Sequence, residues 1–562
     1  MKPRDQQLQD IAGKSFDVCV IGGGATGAGC ALDAQLRGLR TAMLDAGDFA
    51  GATSSAATKI VHGGVRYLEE AIKDVDPKEY HVLVRALHER VRMLNNGPHL
   101  TRQLQFVVPS YSWLNAAYLD IGLKMYDWLA GSARIAPSKY VSREETLERM
   151  PNLKQEGLIG SVQYADGQFD DARYCLALVN SFSDAGGSAL NYARVTQFGR
   201  DSAGRLSSIQ VTDNRAGKQF VVNAKVFINA TGPFTDAIRT LATPSVHKRM
   251  RLSKGSHILL PLEIFPSQGD AMLIPKTDDG RVLFAVPWGG RLLVGTTEQE
   301  VGPDDEFFVS KEDVAFMLGQ LNKYLEHPVT PSQIVSGFAG ARPLVSAGEN
   351  ESTQKIARDD VIELDAASGL ISIMGGKWTT HRAMAEDTVS AAQKALGVAV
   401  TESPTRSHVL HGGEGFTSDF WEKLTAEYRI SNETAHHLAS KFGTAAREVL
   451  ELTRANTNLG QPILFGHPPI QAEVVYSVRQ ELAQTIEDVL ARRLGVQFYS
   501  WRDAIHSAPV VGTLMAEELH WSDAETKSAV TAYIDKINHL LERAGLEQER
   551  SEASSASRST AV

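Results

Sequence analysis

The sequence predicts an α/β fold in three parts: a parallel-sheet unit that opens the chain, an inserted α+β part, and an all-α C-terminal end. Three observations predict it. A short β-branched run, Phe16–Ile21, passes directly into a glycine-rich turn and an Ala/Leu-rich stretch. Between His257 and Thr297 the pattern changes to short apolar runs around a Gly-Gly turn. After about residue 400 the texture becomes helical.

Taken in order, Phe16–Ile21 reads as a buried strand, because it is short, apolar and β-branched. Gly22-Gly23-Gly24-Ala25-Thr26-Gly27 follows, then a helix to about Arg37 that Gly38 stops. A second apolar run, Leu39–Leu44, ends at Asp45 and closes a strand–turn–helix–strand unit of about 30 residues. Leu83, Leu87, Val91 and Leu94 give Tyr80–Leu94 a helical spacing. Phe220–Ile228 is a further strand, running into Ala230-Thr231-Gly232. His257 opens a strand to Leu260, and Val282–Val286 with Leu292–Gly295 form a hairpin around Trp288-Gly289-Gly290. Gly443 and Gly495 sit at helix stops, and Ser522-Asp523-Ala524-Glu525 has the pattern of a capping box. Ser551–Val562, rich in Ser and Ala, reads as a disordered tail.

With 562 residues the chain exceeds what one core organises, so two or three domains are expected. Hydrophobic residues at 43% and charged residues at 22% fit an ordinary globular protein rather than a disordered one. A formal net charge of −10 argues against a nucleic-acid partner, which wants a basic face, but leaves room for a local cationic pocket. Cys19, Cys30 and Cys175 are scattered without C-x-x-C spacing, so no disulfide framework and no metal site is expected. Met1–Lys14 has no apolar signal core and is too acidic and Arg-poor for an organellar presequence. No stretch reaches the roughly 18 apolar residues of a spanning helix, so any contact with a membrane is peripheral.

Gly22, Gly24 and Gly27 give G-x-G-x-x-G, and Asp45 stands 18 residues after the last glycine. The spacing has a mechanism. Gly22 permits a tight turn, Gly24 lets the backbone approach a pyrophosphate, and Gly27 lets helix and strand pack closely. The helix N-terminus then faces phosphates with free N–H groups, and Asp45 can accept hydrogen bonds from ribose hydroxyls. This predicts dinucleotide binding without choosing between FAD and NAD.

Downstream come Thr53-Ser54-Ser55, Lys59 and His62-Gly63-Gly64-Val65-Arg66-Tyr67-Leu68-Glu69. Four more motifs follow: Gly255-Ser256-His257, Gly295-Thr296-Thr297-Glu298, Gly340-Ala341-Arg342-Pro343-Leu344 and Gly375-Gly376-Lys377-Trp378-Thr379-Thr380. In this order they resemble the FAD-dependent glycerol-3-phosphate dehydrogenase family, from about Phe16 to Ala385 and again over Ala472–Arg493. Glu298 stands where Asp is common in that family, and Asp45 where many relatives carry Glu.

The resemblance implies a glutathione-reductase-like FAD-binding domain, an inserted α+β substrate (cap) domain and an all-α C-terminal domain. The corresponding division is an oxidoreductase region over 15–400, with FAD segments near 15–100, 165–245 and 335–400 and cap segments near 101–164 and 246–334. A helical domain at 405–546 and a tail at 547–562 complete it. FAD is the implied cofactor, held by Gly22, Gly24, Gly27, Asp45, Thr53, Ser54, Ser55, Lys59, His62, Gly63, Ala230, Gly232, Gly376, Lys377 and Thr379. The implied reaction is oxidation of glycerol 3-phosphate to glycerone phosphate, with electrons passed to a membrane quinone. The implied place is the cytoplasmic face of a bacterial plasma membrane, with the mitochondrial inner membrane as alternative; a homodimer is also compatible. An oxidase using O₂, or a protein holding FAD as a structural ligand, are the competing readings.

The residue chemistry agrees with that implication. A phosphate dianion suits the planar donor fork of arginine, for which Arg66 and Arg342 are the candidates. Alcohol oxidation needs a proton acceptor, a task matched by histidine, with His257 the first choice and His62 the competitor. Lys377 in its Gly-Gly-Lys turn can stabilise negative charge on a reduced flavin, and Thr379 can donate to a ring carbonyl. Leu114–Arg134, with Tyr118, Ile121, Met125, Tyr126 and Trp128, reads either as an interfacial helix or as a core helix of the cap. Base rates and its aspartates favour the core.

Overall fold

The computed structural model describes residues 1–64, 77–346 and 360–546. Arg66 and the tail Ser551–Val562 lie outside the described residues.

Two sheets carry the molecule. In the first, Ser15–Ile21 lies between Gln219–Asn229 and Thr41–Leu44, all three parallel. Ser188–Leu190 and Ile371–Gly375 extend this parallel core on either side. The hairpin Ala193–Arg200/Leu206–Asp213 and the edge strand Asp360–Leu364 join it antiparallel. Val18, Cys19 and Val20 have no exposure at all, because parallel strands covered on both faces read as continuous apolar runs. On one face pack the helices Ala25–Leu36, Asp171–Asp184 and His381–Ala395. This is the doubly covered nucleotide-binding architecture that the glycine turn predicts.

The second sheet has ten strands among the described residues. Its spine is Met250–Pro261, paired with Ser336–Val345 over ten rungs and with Arg291–Gly295 on the other side. Beyond these lie Leu283–Trp288, Ala271–Ile274, Thr101–Ser110, Gly160–Phe169 and the short Ile60–Val61. The hairpin forms as predicted, with Gly289 and Gly290 both at positive φ, 56° and 73°. His257, expected to open its strand, instead sits well inside the 12-residue Met250–Pro261. Ser336–Val345 pairs with the second sheet although the segmental division drew it with the FAD part.

The C-terminal helices close one face of this sheet. Ile258, Leu260, Leu292 and Val294 share a core with Val474, Val478, Trp501 and Val511. The alternate residues Leu259, Leu293 and Phe338 face the opposite way and pack with Ile60, Phe106 and Tyr164. Gly443, at φ 57°, ends the helix Asn432–Phe442, and Ser522 and Glu525 complete both arms of the capping box that starts Asp523–Ala544.

The helix Trp113–Ala130 departs from the core assignment. It buries Ala116, Leu123, Tyr126 and Ala130, but leaves Trp113, Leu114, Tyr118, Ile121 and Trp128 in solvent, Leu114 at 85% and Trp128 at 76%. Both faces of the helix carry apolar residues, and one of them is largely exposed. No helix among the described residues is long and apolar enough to cross a membrane.

Candidate functional site

At the end of the first strand the backbone comes together with no room for side chains. A Cβ on Gly27 would lie 1.9 Å from the Gly22 carbonyl oxygen, and one on Gly22 would lie 2.5 Å from that of Ala230. At Gly24 it would meet Ser54 Oγ at 2.8 Å. Gly22 also adopts φ 111°, which only glycine takes readily. The Ala25 N–H at the start of the helix donates to Ser54 Oγ at 2.9 Å, so the Thr53-Ser54-Ser55 turn sits over the helix N-terminus.

Asp45 closes the cradle: its carboxylate accepts from Gly23 N–H at 2.6 Å and Gly47 N–H at 2.8 Å. Burial pushes its carboxyl up to about 6, with those two bonds opposing the shift. Ala230-Thr231-Gly232 closes against Gly22, with Ala230 N–H donating to the Ile21 carbonyl at 2.9 Å and Gly232 at φ 55°. A side-chain-free turn, a helix N-terminus and a desolvated acid are the parts a dinucleotide requires, so these residues fit FAD.

Three remote segments are stitched together next to this cradle. Gly375 and Gly376, at φ 74° and 82°, turn the chain out of its strand towards Lys377 and the helix His381–Ala395. Trp378 Nε1 donates to the Ser54 carbonyl at 3.0 Å, and Thr379 Oγ1 donates to the His62 carbonyl at 3.2 Å. The Thr379 hydroxyl therefore ties the His62 segment to the turn after Gly376. Gly63 N–H donates to Tyr126 Oη at 2.9 Å, and that hydroxyl donates to Asp166, which Arg90 also holds. A Cβ at Gly63 would fall 2.6 Å from the same Tyr126 oxygen, which is why glycine is needed there.

The second sheet presents a row of side chains to this region. Directly paired residues share a face, so Phe284, Gly295, His257 and Phe338 line up across four strands. Two and four residues along, the same face carries the pairs Gly255/Gly340 and Ser253/Arg342. The segment Thr58–His62 crosses the row. Lys59 Nζ lies 4.7 Å from the Phe338 ring, Thr58 Oγ1 lies 3.0 Å from His257 Nε2, and His62 lies 6.4 Å from Phe284 between ring centroids.

His257 is 2% exposed and stacked on Phe338 at 4.8 Å. Burial, with Arg342 and Lys59 nearby, holds its pKa well below the usual histidine value, so it is neutral. His62 is half-buried. Arg342 is half-buried, its Nη2 donating to Thr296 Oγ1 at 2.9 Å. A Cβ on Gly255 would come within 2.7 Å of that Nη2, so the glycine makes room for the guanidinium.

Lys59, expected to hold the cofactor, lies in the core. Its ammonium has no exposure, bonds Asp171 at 2.5 Å and the Ser55 carbonyl at 2.7 Å, and is boxed by the rings of Trp288, Phe338 and Phe498. Thr53 Oγ1 donates to the Ala341 carbonyl at 2.6 Å, joining the cradle to the second sheet. Thr58, Asp166, Asp171 and Tyr126 were missed by sequence reasoning; each is recognisable only through a distant partner.

A glycine cradle with a paired acid, joined to a sheet that presents a histidine and an arginine, defines a dinucleotide-binding protein with side chains set beside the cofactor site. Residues 17–386 match the FAD dependent oxidoreductase family, and residues 403–526 match the C-terminal domain of alpha-glycerophosphate oxidase. The mitochondrial glycerol-3-phosphate dehydrogenase of Homo sapiens is 37% identical over 532 residues, 92% of this chain and 73% of that protein. The Rattus norvegicus enzyme is 38% identical over the same shares. The glycerol-3-phosphate dehydrogenase from Bacillus halodurans, solved with FAD, superposes with a TM-score of 0.77 at 28% identity, covering 98% of this chain and 99% of that one. The chain belongs to the glycerol-3-phosphate dehydrogenase family of FAD-dependent oxidoreductases.

Proposed function

We propose that the protein oxidises sn-glycerol 3-phosphate to glycerone phosphate and delivers the electrons to a membrane quinone. The observation that carries this reading is the shared sheet face of His257 and Arg342 beside the dinucleotide cradle. The names of the relatives point to the same substrate. FAD, when bound, supplies the two-electron acceptor for the hydride leaving the secondary carbon.

Arg342 holds the substrate phosphate with its donor fork. An imidazole takes the hydroxyl proton: His257, kept neutral by burial, or His62 at the other end of the row. Lys377 places a cation at the flavin edge. Gly22, Gly24, Gly27 and Asp45 hold the dinucleotide, with Ala230, Gly232 and the Thr53–Ser55 turn around it. The exposed stripe of Trp113–Ala130 supports peripheral attachment to a membrane, where a quinone is found.

The test is anaerobic mixing of the yellow protein with glycerol 3-phosphate while absorbance near 450 nm is followed. Rapid bleaching, with glycerol inert, is the expected result; no bleaching by glycerol 3-phosphate would remove the reading. His257→Asn and His62→Asn, compared in the same experiment at equal FAD content, identify the proton acceptor. Peroxide yield per turnover in air, against turnover with a quinone analogue, separates a dehydrogenase from an oxidase.

A further inference from the structure

The loop Asp45–Phe49 carries two parts of the dinucleotide cradle. Asp45 holds the Gly23 and Gly47 N–H groups, and the Phe49 ring fills the space beside Gly23, where a Cβ would fall 2.6 Å from its Cδ1. Between them stands Asp48, 4% exposed, whose carboxylate collects donors from remote parts of the chain. Arg492 Nε reaches it at 2.6 Å, Arg493 Nη2 at 3.0 Å together with Nη1, and Asn191 Nδ2 at 3.1 Å. Both arginines come from the C-terminal helical part, 444 and 445 residues away.

Successive residues on an α-helix point about 100° apart, so two consecutive arginines do not ordinarily converge on one carboxylate. Here they do so from Asp488–Arg493, which is wound as a wider π-type turn, a geometry often retained at functional positions. The turn is itself pinned. Asp488 accepts from Thr485 Oγ1 at 2.7 Å, Gln484 N–H at 2.8 Å and Tyr192 Oη at 2.8 Å, and it also holds Arg492. Arg493 Nη2 donates further to the Glu481 carbonyl at 2.6 Å. Tyr192 closes the circuit, since its N–H donates to the Gly47 carbonyl at 2.7 Å inside the same loop.

We propose that Arg492 and Arg493 are positioning residues of the FAD site, through which the C-terminal helical part clasps Asp48 and so sets Asp45 and Phe49 at the adenosine end of the cradle. The proposed substrate side is built elsewhere, by Thr58–His62, His257 and Arg342, on the second sheet and the segment that crosses it. Removing one arginine leaves a buried carboxylate short of donors, and the loop must move to hydrate it. The proposal rests on FAD being the cofactor and not on the identity of the substrate, so its failure is distinct from failure of the glycerol 3-phosphate reading.

The experiment uses the full-length holoenzyme with Arg493→Met, Arg493→Lys and Asp48→Asn. FAD release on dilution is followed by flavin fluorescence, ADP binding to the apoprotein by calorimetry, and the KM for glycerol 3-phosphate on flavin-replete enzyme. Arg493→Met should release FAD on the order of tenfold faster and weaken ADP binding by a similar factor. Arg493→Lys, which keeps the charge, should recover part of both, while the KM stays within about twofold. Unchanged FAD release in Arg493→Met would overturn the proposal. So would faster release with ADP affinity intact and no recovery by lysine, since that pattern marks general loosening. Should Arg493→Met fail to fold, Arg493→Lys and Asp48→Asn are judged by the same two quantities.

Discussion

Arg342→Ala should abolish recognition of the substrate phosphate while leaving the flavin in place. Arg342 Nη2 donates to Thr296 Oγ1 at 2.9 Å and its backbone is held by the rungs of Ser336–Val345 against Met250–Pro261, so the side chain is oriented before substrate arrives. A charge-assisted hydrogen bond contributes about 1.5–3 kcal/mol, and a fork makes two, giving roughly 3–6 kcal/mol. At 1.4 kcal/mol per decade, kcat/KM for glycerol 3-phosphate should fall on the order of 10²- to 10⁴-fold. Arg342→Lys keeps the charge and one bond, so its loss should be on the order of 10- to 100-fold. Gly255→Ala offers an independent perturbation, because its new Cβ would fall 2.7 Å from Nη2 and push the fork aside without touching its charge. The assay is anaerobic stopped-flow reduction over a range of glycerol 3-phosphate, with inorganic phosphate as competitor. If Arg342→Ala kept the wild-type affinity for both glycerol 3-phosphate and inorganic phosphate, the arginine would not hold the phosphate and the reasoning from the sheet face would fail.

Three further outcomes follow from the geometry. Asp45 in the apoprotein is pushed up to about 6, and ribose hydroxyl donors favour its carboxylate form, so FAD binding should release a proton near that pH. The sign is set by the raised folded value: this group's contribution to apoprotein stability is present below about 4 and lost as pH rises through about 6, whereas FAD affinity rises over the same window. Calorimetry in buffers of different ionisation enthalpy should detect the proton, and Asp45→Asn should remove it; proton release that survives the substitution would refute the assignment. Ile121→Glu with Trp128→Glu should abolish flotation with liposomes without loss of flavin, both side chains being exposed; unchanged flotation would sink the interfacial reading. Lys59→Met should cost about 3–5 kcal/mol in denaturant unfolding by stranding Asp171, and adding Asp171→Asn should recover much of it; a single variant as stable as the parent would mean that the pair is not the anchor described.

The parts of the site that are legible in the sequence are those whose reason is local. Gly22, Gly24 and Gly27 are spaced by the demands of one turn, and Gly289-Gly290 by those of one hairpin. His257 was misplaced at a strand opening because the strand's first half, with Ser253, Lys254, Gly255 and Ser256, has the composition of a loop. It is a strand because Asp313, more than fifty residues on, takes both Lys254 Nζ and Ser256 Oγ at 2.8 Å and so allows their burial. The same holds for Lys59, whose partner Asp171 lies 112 residues away, and for Trp113–Ala130, whose period shows two apolar faces without saying which one the cap covers.

A polar residue buried against a distant partner leaves no period and no neighbour in the sequence, so its type alone suggests a ligand or solvent. That ambiguity matters most for cations beside glycine motifs, where Lys59 and Arg342 read alike. What separates them is how far each is buried. Lys59 is enclosed by a carboxylate, a carbonyl and three aromatic faces with no exposure, so a ligand could reach it only by dismantling the core. Arg342 keeps partial exposure beside Gly255, with Nη2 donating to Thr296 Oγ1, so something arriving from outside meets it without that disruption. The proposed phosphate role falls to Arg342 and not to Lys59 on exposure, a property the motif itself does not contain.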